Sequence, residues 1–138
     1  MQATYEGRGW CYEESCISNL VKDSMLVLDL GLFSGTKTGM EDVTHECKAG
    51  REPPHSPDSF NAIVEGKSFT NKAADLETVK SLYAAALELR IGQAEELSYA
   101  QLGWGDAEAA AVSRALHAAK ELQELYLGHN NILSLIHI

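Results

Sequence analysis

One stretch of eleven residues near the carboxyl end constrains the fold more than any other part of the sequence. It reads L-Q-E-L-Y-L-G-H-N-N-I and places apolar side chains at Leu122, Leu125, Leu127 and Ile132. Because successive side chains of a strand point to opposite faces, Leu125 and Leu127 predict a short strand that buries every second residue. We expect the side chain of Asn130 to satisfy backbone groups where the chain turns after this strand.

An earlier copy of this spacing is predicted around Leu97. Leu97 and Leu102 lie five positions apart, as do Leu127 and Ile132, and the two pairs are offset by thirty residues. An alanine-rich stretch with helical spacing lies between the pairs and predicts a helix that begins at Gly105-Asp106. A strand, a helix and a second strand in this order predict parallel pairing of the strands. The two strands are expected at residues 96–98 and 123–127.

This arrangement resembles leucine-rich repeats, and its unit of about thirty residues is similar to the ribonuclease-inhibitor type. The resemblance covers Glu95 to Ile132, or about one and a half repeats. The first copy departs from the consensus, with Glu95 where Leu125 stands and Ala100 where Asn130 stands, as a capping repeat often does. The family forms curved solenoids whose strand-lined concave face binds other proteins. The repeat positions are Leu97, Leu102, Leu122, Leu125, Leu127, Asn130 and Ile132.

The rest of the chain is expected to be mostly helical. The predicted class is therefore α/β, with an N-terminal helical region and the start of a leucine-rich-repeat solenoid of short parallel strands. Apolar spacing predicts helices at 10–22, 57–65 and 75–91 and a buried strand at 25–30, and the stretch at 40–47 allows at most one short helix. Asp75 is expected to cap the helix at 75–91, and Gly92 is expected to end it. The predicted segments are 1–33 (helix and strand), 34–56 (linker), 57–94 (helical linker or cap), 95–132 (repeats) and 133–138 (tail).

Composition limits the classes of partner and cofactor. The chain has 11 Lys and Arg against 20 Asp and Glu, a net charge of −9, which repels nucleic acids and anionic membranes. Its three cysteines, Cys11, Cys16 and Cys47, lack the C-x-x-C spacing of zinc and redox motifs. We therefore expect no metal, no cofactor, no membrane contact and a cytoplasmic protein with reduced thiols.

A shorter motif near the amino end points to a different class of function. The residues Trp10, Cys11 and Glu14 resemble the W-C-x-x-E segment of Toll/interleukin-1-receptor-like domains, in whose hydrolases the glutamate contacts NAD. The resemblance implies that Glu14 is a remnant of a catalytic site that would need further sequence upstream. In the alternative that we favour, Trp10 is a core anchor, and Glu13 and Glu14 form a solvated pair in the first turn of a helix.

Two functions remain open from the sequence. The first is an interaction module that is not an enzyme and binds other proteins through the exposed strand residues Glu124, Tyr126 and His129. The second is a remnant of a Toll/interleukin-1-receptor-like signalling or NAD-cleaving domain joined to repeats. An ordinary helix followed by a leucine-rich strand is the plain alternative to a repeat.

The chain is expected to be a fragment of a longer protein. Repeats bury their apolar faces against one another, and roughly three or more are needed for a stable array. The closing residues 133–138 resemble a translated sequencing adapter, with a genuine apolar strand as the alternative. The R-G-W-C segment at Arg8 to Cys11, followed by a helical linker and repeats, resembles leucine-rich-repeat proteins of unicellular algae.

Overall fold

The computed structural model of the protein describes residues 4–5, 7–23 and 26–133. The tail predicted at 133–138 therefore lies outside the described residues except for Leu133. The helices are α1 (Gly9–Ser18), α2 (Met40–Glu46), α3 (Pro57–Val64), α4 (Lys72–Gln93) and α5 (Asp106–Ala115). The strands are β1 (Glu96–Ser98) and β2 (Glu124–Tyr126), and short 3-10 turns span Leu30–Leu32 and Leu116–Ala118.

The predicted mixed α/β class, mostly helical, is confirmed. Strands β1 and β2 precede and follow α5 in the chain and form a parallel pair in which Leu97 lies opposite Leu125. Leu97 is fully buried, so the predicted inward side of the first strand is also confirmed. Helix α5 begins at Asp106, directly after Gly105 as predicted, and buries Ala109 on its inner face.

The register of the two strands differs from the predicted repeat. Leu97 pairs with Leu125, an offset of 28 positions, whereas the leucine spacing had matched Leu97 with Leu127. The turns agree with the shorter offset, because Gln101 and His129 both adopt left-handed backbone angles, with φ of 58° and 56°. The predicted offset of thirty is therefore wrong. The departures from the consensus predicted at Glu95 and Ala100 are wrong as well, because they assumed that offset. Leu102, not Ala100, stands where the second copy has Asn130.

Helix α4 carries one continuous apolar stripe into the core. Its buried residues Val79, Tyr83, Leu87 and Ile91 recur every four positions, which keeps them on one face. This stripe packs against Phe60 and other buried side chains in a single core cluster that extends from α1 to α5. The helix predicted at 75–91 is thus confirmed but longer.

The ends of α4 differ from the prediction. The N-cap is Asn71, whose side chain accepts a hydrogen bond from Ala74 N at 3.4 Å, and Asp75 lies inside the helix instead of capping it. Gly92 does not end the helix. A Cβ at Gly92 would lie 3.3 Å from the carbonyl oxygen of Ala118, so glycine permits the close approach of the turn after α5.

The helix predicted at 10–22 ends at Ser18, and its predicted apolar side chains are buried only in part: Leu20 is buried and Ile17 packs against the core. Trp10 is 41% exposed and Val21 is 38% exposed, whereas Tyr12 and Glu13 are buried. The interpretation of Trp10 as a core anchor and of Glu13 as a solvated carboxylate is therefore wrong. Packing against α3 and α4 selects the face, because Tyr12 stacks on Phe60 at 5.9 Å between ring centroids.

The segment predicted as a buried strand at 25–30 is not a strand in its described part. Met25 lies outside the described residues. Leu28 forms a single antiparallel bridge with Lys48, after which the chain turns through Leu30–Leu32. Leu30 is 72% exposed, since a lone bridge gives the segment no sheet face to cover. The prediction of a buried strand at 25–30 is therefore wrong for the described residues.

Candidate functional site

The exposed side of the parallel pair is the first candidate site. Glu96 lies opposite Glu124 and Ser98 lies opposite Tyr126, so these four side chains share one side of the sheet. We call this surface the strand face. Leu97 and Leu125, between them along the strands, point to the opposite side, where both join the core cluster.

The strand face combines an aromatic ring with two carboxylates. Tyr126 is 47% exposed, and its hydroxyl donates a hydrogen bond of 2.5 Å to Glu124 Oε2. That hydrogen bond, with the negative charges of Glu124 and Glu96, raises the pKa of Tyr126. The tyrosine is therefore a neutral donor at physiological pH, and the charge of the face is negative.

The predicted site residues in this region are brought together only in part. Glu124 and Tyr126 lie on the strand face, whereas His129 is an exposed residue of the turn beyond β2. Glu96 and Ser98 complete the face and were missed by the sequence analysis. The offset of thirty had concealed them, since it paired the wrong residues of the two strands.

Asn130 fixes the turns beside the strand face. Its Oδ1 accepts hydrogen bonds from Leu102 N at 2.9 Å and Trp104 N at 3.0 Å. Its Nδ2 donates to Tyr99 O at 2.8 Å and Leu127 O at 2.9 Å. The predicted role of Asn130 in satisfying turn backbone groups is thus confirmed. One side chain joins the turn after β1 to the end of β2.

Most of the other predicted repeat positions pack on the core side of this region. Leu97 is buried, and five further side chains are partly buried. These are Leu102, Leu122, Leu125, Leu127 and Ile132. Leu125 of β2 is therefore less deeply buried than Leu97 of β1.

The residues of the W-C-x-x-E motif lie on the outer surface of α1. Glu14 is exposed and accepts a hydrogen bond from the Tyr5 hydroxyl at 3.4 Å. Trp10 Nε1 donates to Asp75 Oδ2 at 3.1 Å. The buried neighbour Glu13 has a raised pKa because of desolvation and, secondarily, the charge of Glu14. A cavity lies between α1 and α4, and the side chains of Trp10, Glu13 and Glu14 are not part of its wall.

That cavity is a second candidate site and was missed by the sequence analysis. It has a volume of about 230 Å³, and its wall includes Tyr12 and Cys16 of α1, Arg51, Glu52, Lys67 and Tyr83 of α4. Tyr12 and Cys16 are four positions apart on α1, which is the only signal in the sequence. The basic residues come from segments whose proximity depends on the tertiary fold.

A hydrogen-bonded cluster closes one side of the cavity. The Tyr12 hydroxyl donates to Glu52 Oε2 at 2.6 Å, and His55 Nε2 lies 3.0 Å from the same oxygen. The hydrogen bonds from His55 and Tyr12 lower the pKa of Glu52. Burial raises the pKa of Cys16 to about 12, so this thiol is protonated and a poor nucleophile. The wall is suited to binding more than to covalent chemistry.

Two other classes of site are absent from the described ranges. Among residues 4–5, 7–23 and 26–133, no group of three His, Cys, Asp or Glu side chains is placed to hold a metal ion. None of the described helices combines the length and apolar character that crossing a membrane requires.

Comparison of the chain with models of known protein families, with curated proteins and with solved structures gave no match.

Proposed function

We propose that residues 95–132 form a unit of the leucine-rich-repeat type and that the strand face binds another protein. The observation that carries the proposal is the parallel pairing of Leu97 with Leu125 across an intervening helix. The resulting offset of 28 positions lies within the 20 to 29 residues typical of such repeats. The hydrogen bonds of Asn130 to both turns support the same assignment.

With this offset, the first copy follows the same apolar pattern as the second. Ala94, Leu97, Tyr99 and Trp104 stand where the second copy has Leu122, Leu125, Leu127 and Ile132. Tyr99 and Trp104 are both buried, as residues at core positions should be. Two chain segments with one pattern, in register and joined by a helix, are better explained by a repeat than by an isolated helix and strand.

The partner that suits the strand face carries basic residues. Glu96 and Glu124 are adjacent and both exposed, and like charges directly opposite each other on a sheet destabilise it. A lysine or arginine from a partner would relieve that repulsion. The ring of Tyr126 adds an aromatic surface on which a guanidinium group can stack. No observation of the described residues favours an NAD-cleaving role for Glu14, because Glu14 is exposed on α1.

A peptide array tests this proposal even though the partner is unidentified. The purified chain is applied to random peptides, and we expect enrichment of peptides that contain lysine and arginine, with binding that weakens as salt is raised. The double variant Glu96→Gln and Glu124→Gln should lose the enrichment. The double variant Glu41→Gln and Asp42→Asn, which also removes two negative charges but on exposed α2, is the control and should retain it. Equal enrichment for both variants would contradict the proposal.

A further inference from the structure

Strand β2 has an open edge. Among the described residues the sheet has two strands, so β2 has β1 on one side and no strand on the other. On the β1 side, Tyr126 O accepts a hydrogen bond from Tyr99 N at 2.8 Å. Because the C=O and N–H of a trans peptide group point in opposite directions, the N–H of Leu127 points to the open edge. Strand edges with free backbone groups are where another strand can add.

Three further backbone groups point to the same edge. Glu124 N donates to Glu95 O at 3.0 Å, so the C=O of Gln123, in the same peptide group as that N–H, points away from β1. Leu125 lies opposite Leu97 in the parallel register, so its own N–H and C=O also point away from β1. Within the described ranges, no hydrogen bond is formed by these groups.

The apolar side chains of β2 are covered less completely than those of β1. Leu97 and Tyr99 are fully buried, whereas Leu125 and Leu127, at the corresponding positions, are only partly buried. A strand added beside β2 would place its own inward side chains next to these two leucines. Such an addition therefore combines backbone hydrogen bonds with removal of apolar surface from water.

A second copy of β2, antiparallel to the first about a two-fold axis at Leu125, matches this edge group for group. Leu125 then faces Leu125 of the second copy, and the N–H of each donates to the C=O of the other. The N–H of Leu127 meets the C=O of Gln123 of the second copy. Tyr126 lies opposite Glu124 of the second copy, so no two carboxylates face each other across the new pair.

We propose that the protein forms a two-fold dimer in which β2 of each copy pairs antiparallel with β2 of the other. A copy added in parallel and in register would instead place its Glu124 in line with the adjacent Glu96 and Glu124, and the three carboxylates would repel one another. The two-fold pair uses the same edge of both copies, so the assembly closes as a dimer. The proposal rests on the strand pairing and does not depend on the repeat assignment or on a partner at the strand face.

Sedimentation velocity of the full chain over a range of concentrations tests the association. We expect a concentration-dependent change from monomer to dimer and no larger species. Each copy has a net charge of −9, so added salt should screen the repulsion and favour the dimer. Binding of a basic peptide to the strand face should weaken with salt, so failure of either proposal can be told from failure of the other. A monomer at every concentration would overturn the dimer, as would open-ended assembly.

Amide hydrogen exchange locates the contact. The N–H groups of Leu125 and Leu127 should exchange more slowly as the protein concentration rises, because they form hydrogen bonds only in the dimer. The N–H of Glu124, which donates to Glu95 within one copy, is the internal control and should be unaffected. If a dimer forms without added protection of Leu125 and Leu127, it pairs through another surface and the proposal is wrong.

Charge changes at Tyr126 test the direction of pairing. Tyr126→Glu puts a carboxylate opposite Glu124 of the second copy in both symmetry-related pairs, so the dissociation constant should rise roughly fivefold or more. Ser98→Glu is the matched control, because it adds the same charge to the same side of the sheet but on β1, and it should weaken the dimer less.

A compensating change completes the test. Glu124→Lys combined with Tyr126→Glu should restore the dimer, because each new lysine then faces a new glutamate of the other copy. Glu41→Lys combined with Tyr126→Glu has the same net charge, but its lysine is on α2, and it should not restore the dimer. A folded Glu124→Lys and Tyr126→Glu double variant that dimerises as weakly as Tyr126→Glu alone would refute the antiparallel pair.

Discussion

Replacement of Asn130 by alanine should destabilise the protein more than any other change of a single polar side chain in residues 95–132. The side chain makes four hydrogen bonds with backbone groups, to Leu102 N, Trp104 N, Tyr99 O and Leu127 O. All four are partly buried, so their loss removes the bonds and leaves backbone groups poorly solvated. Since the turns after β1 and β2 share this one side chain, both should loosen together.

The expected magnitude follows from the number of bonds. A typical intramolecular hydrogen bond contributes roughly 0.5–1.5 kcal/mol net. Partial access of water to the freed groups offsets some of the loss, so we expect Asn130→Ala to lower the free energy of unfolding by about 2–4 kcal/mol. That is a large fraction of the roughly 5–15 kcal/mol that stabilises a typical domain.

Urea unfolding monitored by circular dichroism and by the fluorescence of the buried Trp104 measures this loss. Asn131→Ala is the matched control, because the Asn131 side chain is exposed and should change stability by no more than about 0.5 kcal/mol. Asn130→Asp should be at least as damaging at neutral pH, since a carboxylate oxygen would face the two carbonyl groups. An Asn130→Ala variant as stable as Asn131→Ala would refute the reasoning.

Two further predictions concern α1. Glu13→Gln should raise the free energy of unfolding at neutral pH, because the raised pKa of Glu13 means that its ionised carboxylate is disfavoured in the folded state. The gain should vanish below about pH 4, where the carboxyl group is protonated in the unfolded chain as well. A gain that is independent of pH would contradict this prediction. Gly9→Ala should cost about 1–3 kcal/mol, because its Cβ would lie 1.9 Å from Phe69 Cζ, whereas Gly50→Ala meets no atom within 4 Å and should be nearly neutral in the same urea assay.

Most helices and both strands could be predicted from the sequence because their signals are local. Ser56 precedes Pro57 at the start of α3, and its side chain accepts a hydrogen bond from Ser59 N, as the N-cap preference predicts. The turn role of Asn130 was also predicted correctly, since an asparagine after a strand forms hydrogen bonds with nearby backbone groups. The Ser56 cap and the bond of Asn130 to Leu127 O each join residues three positions apart. The other three bonds of Asn130 reach residues 26 to 31 positions away and depend on the tertiary fold.

The register of the strands was decided only by tertiary structure. Leu97 could be aligned with Leu125 or Leu127, because both are leucines on the same side of a strand. Backbone hydrogen bonds choose between them: Tyr99 N donates to Tyr126 O at 2.8 Å, which sets the offset at 28. Apolar spacing fixes which side of a strand is buried but leaves its position along the neighbouring strand open.

The buried face of α1 and the cavity have the same origin. Trp10 and Tyr12 are both large aromatic residues, and only the position of Phe60 on α3 determines that Tyr12 is the one in the core. Arg51 and Lys67 become neighbours of one cavity because α1, α3 and α4 pack together. The sequence by itself determined most of the elements and their order, with the strand predicted at 25–30 as the exception. Contacts between residues distant in the chain decided which side chains are buried and which share a site.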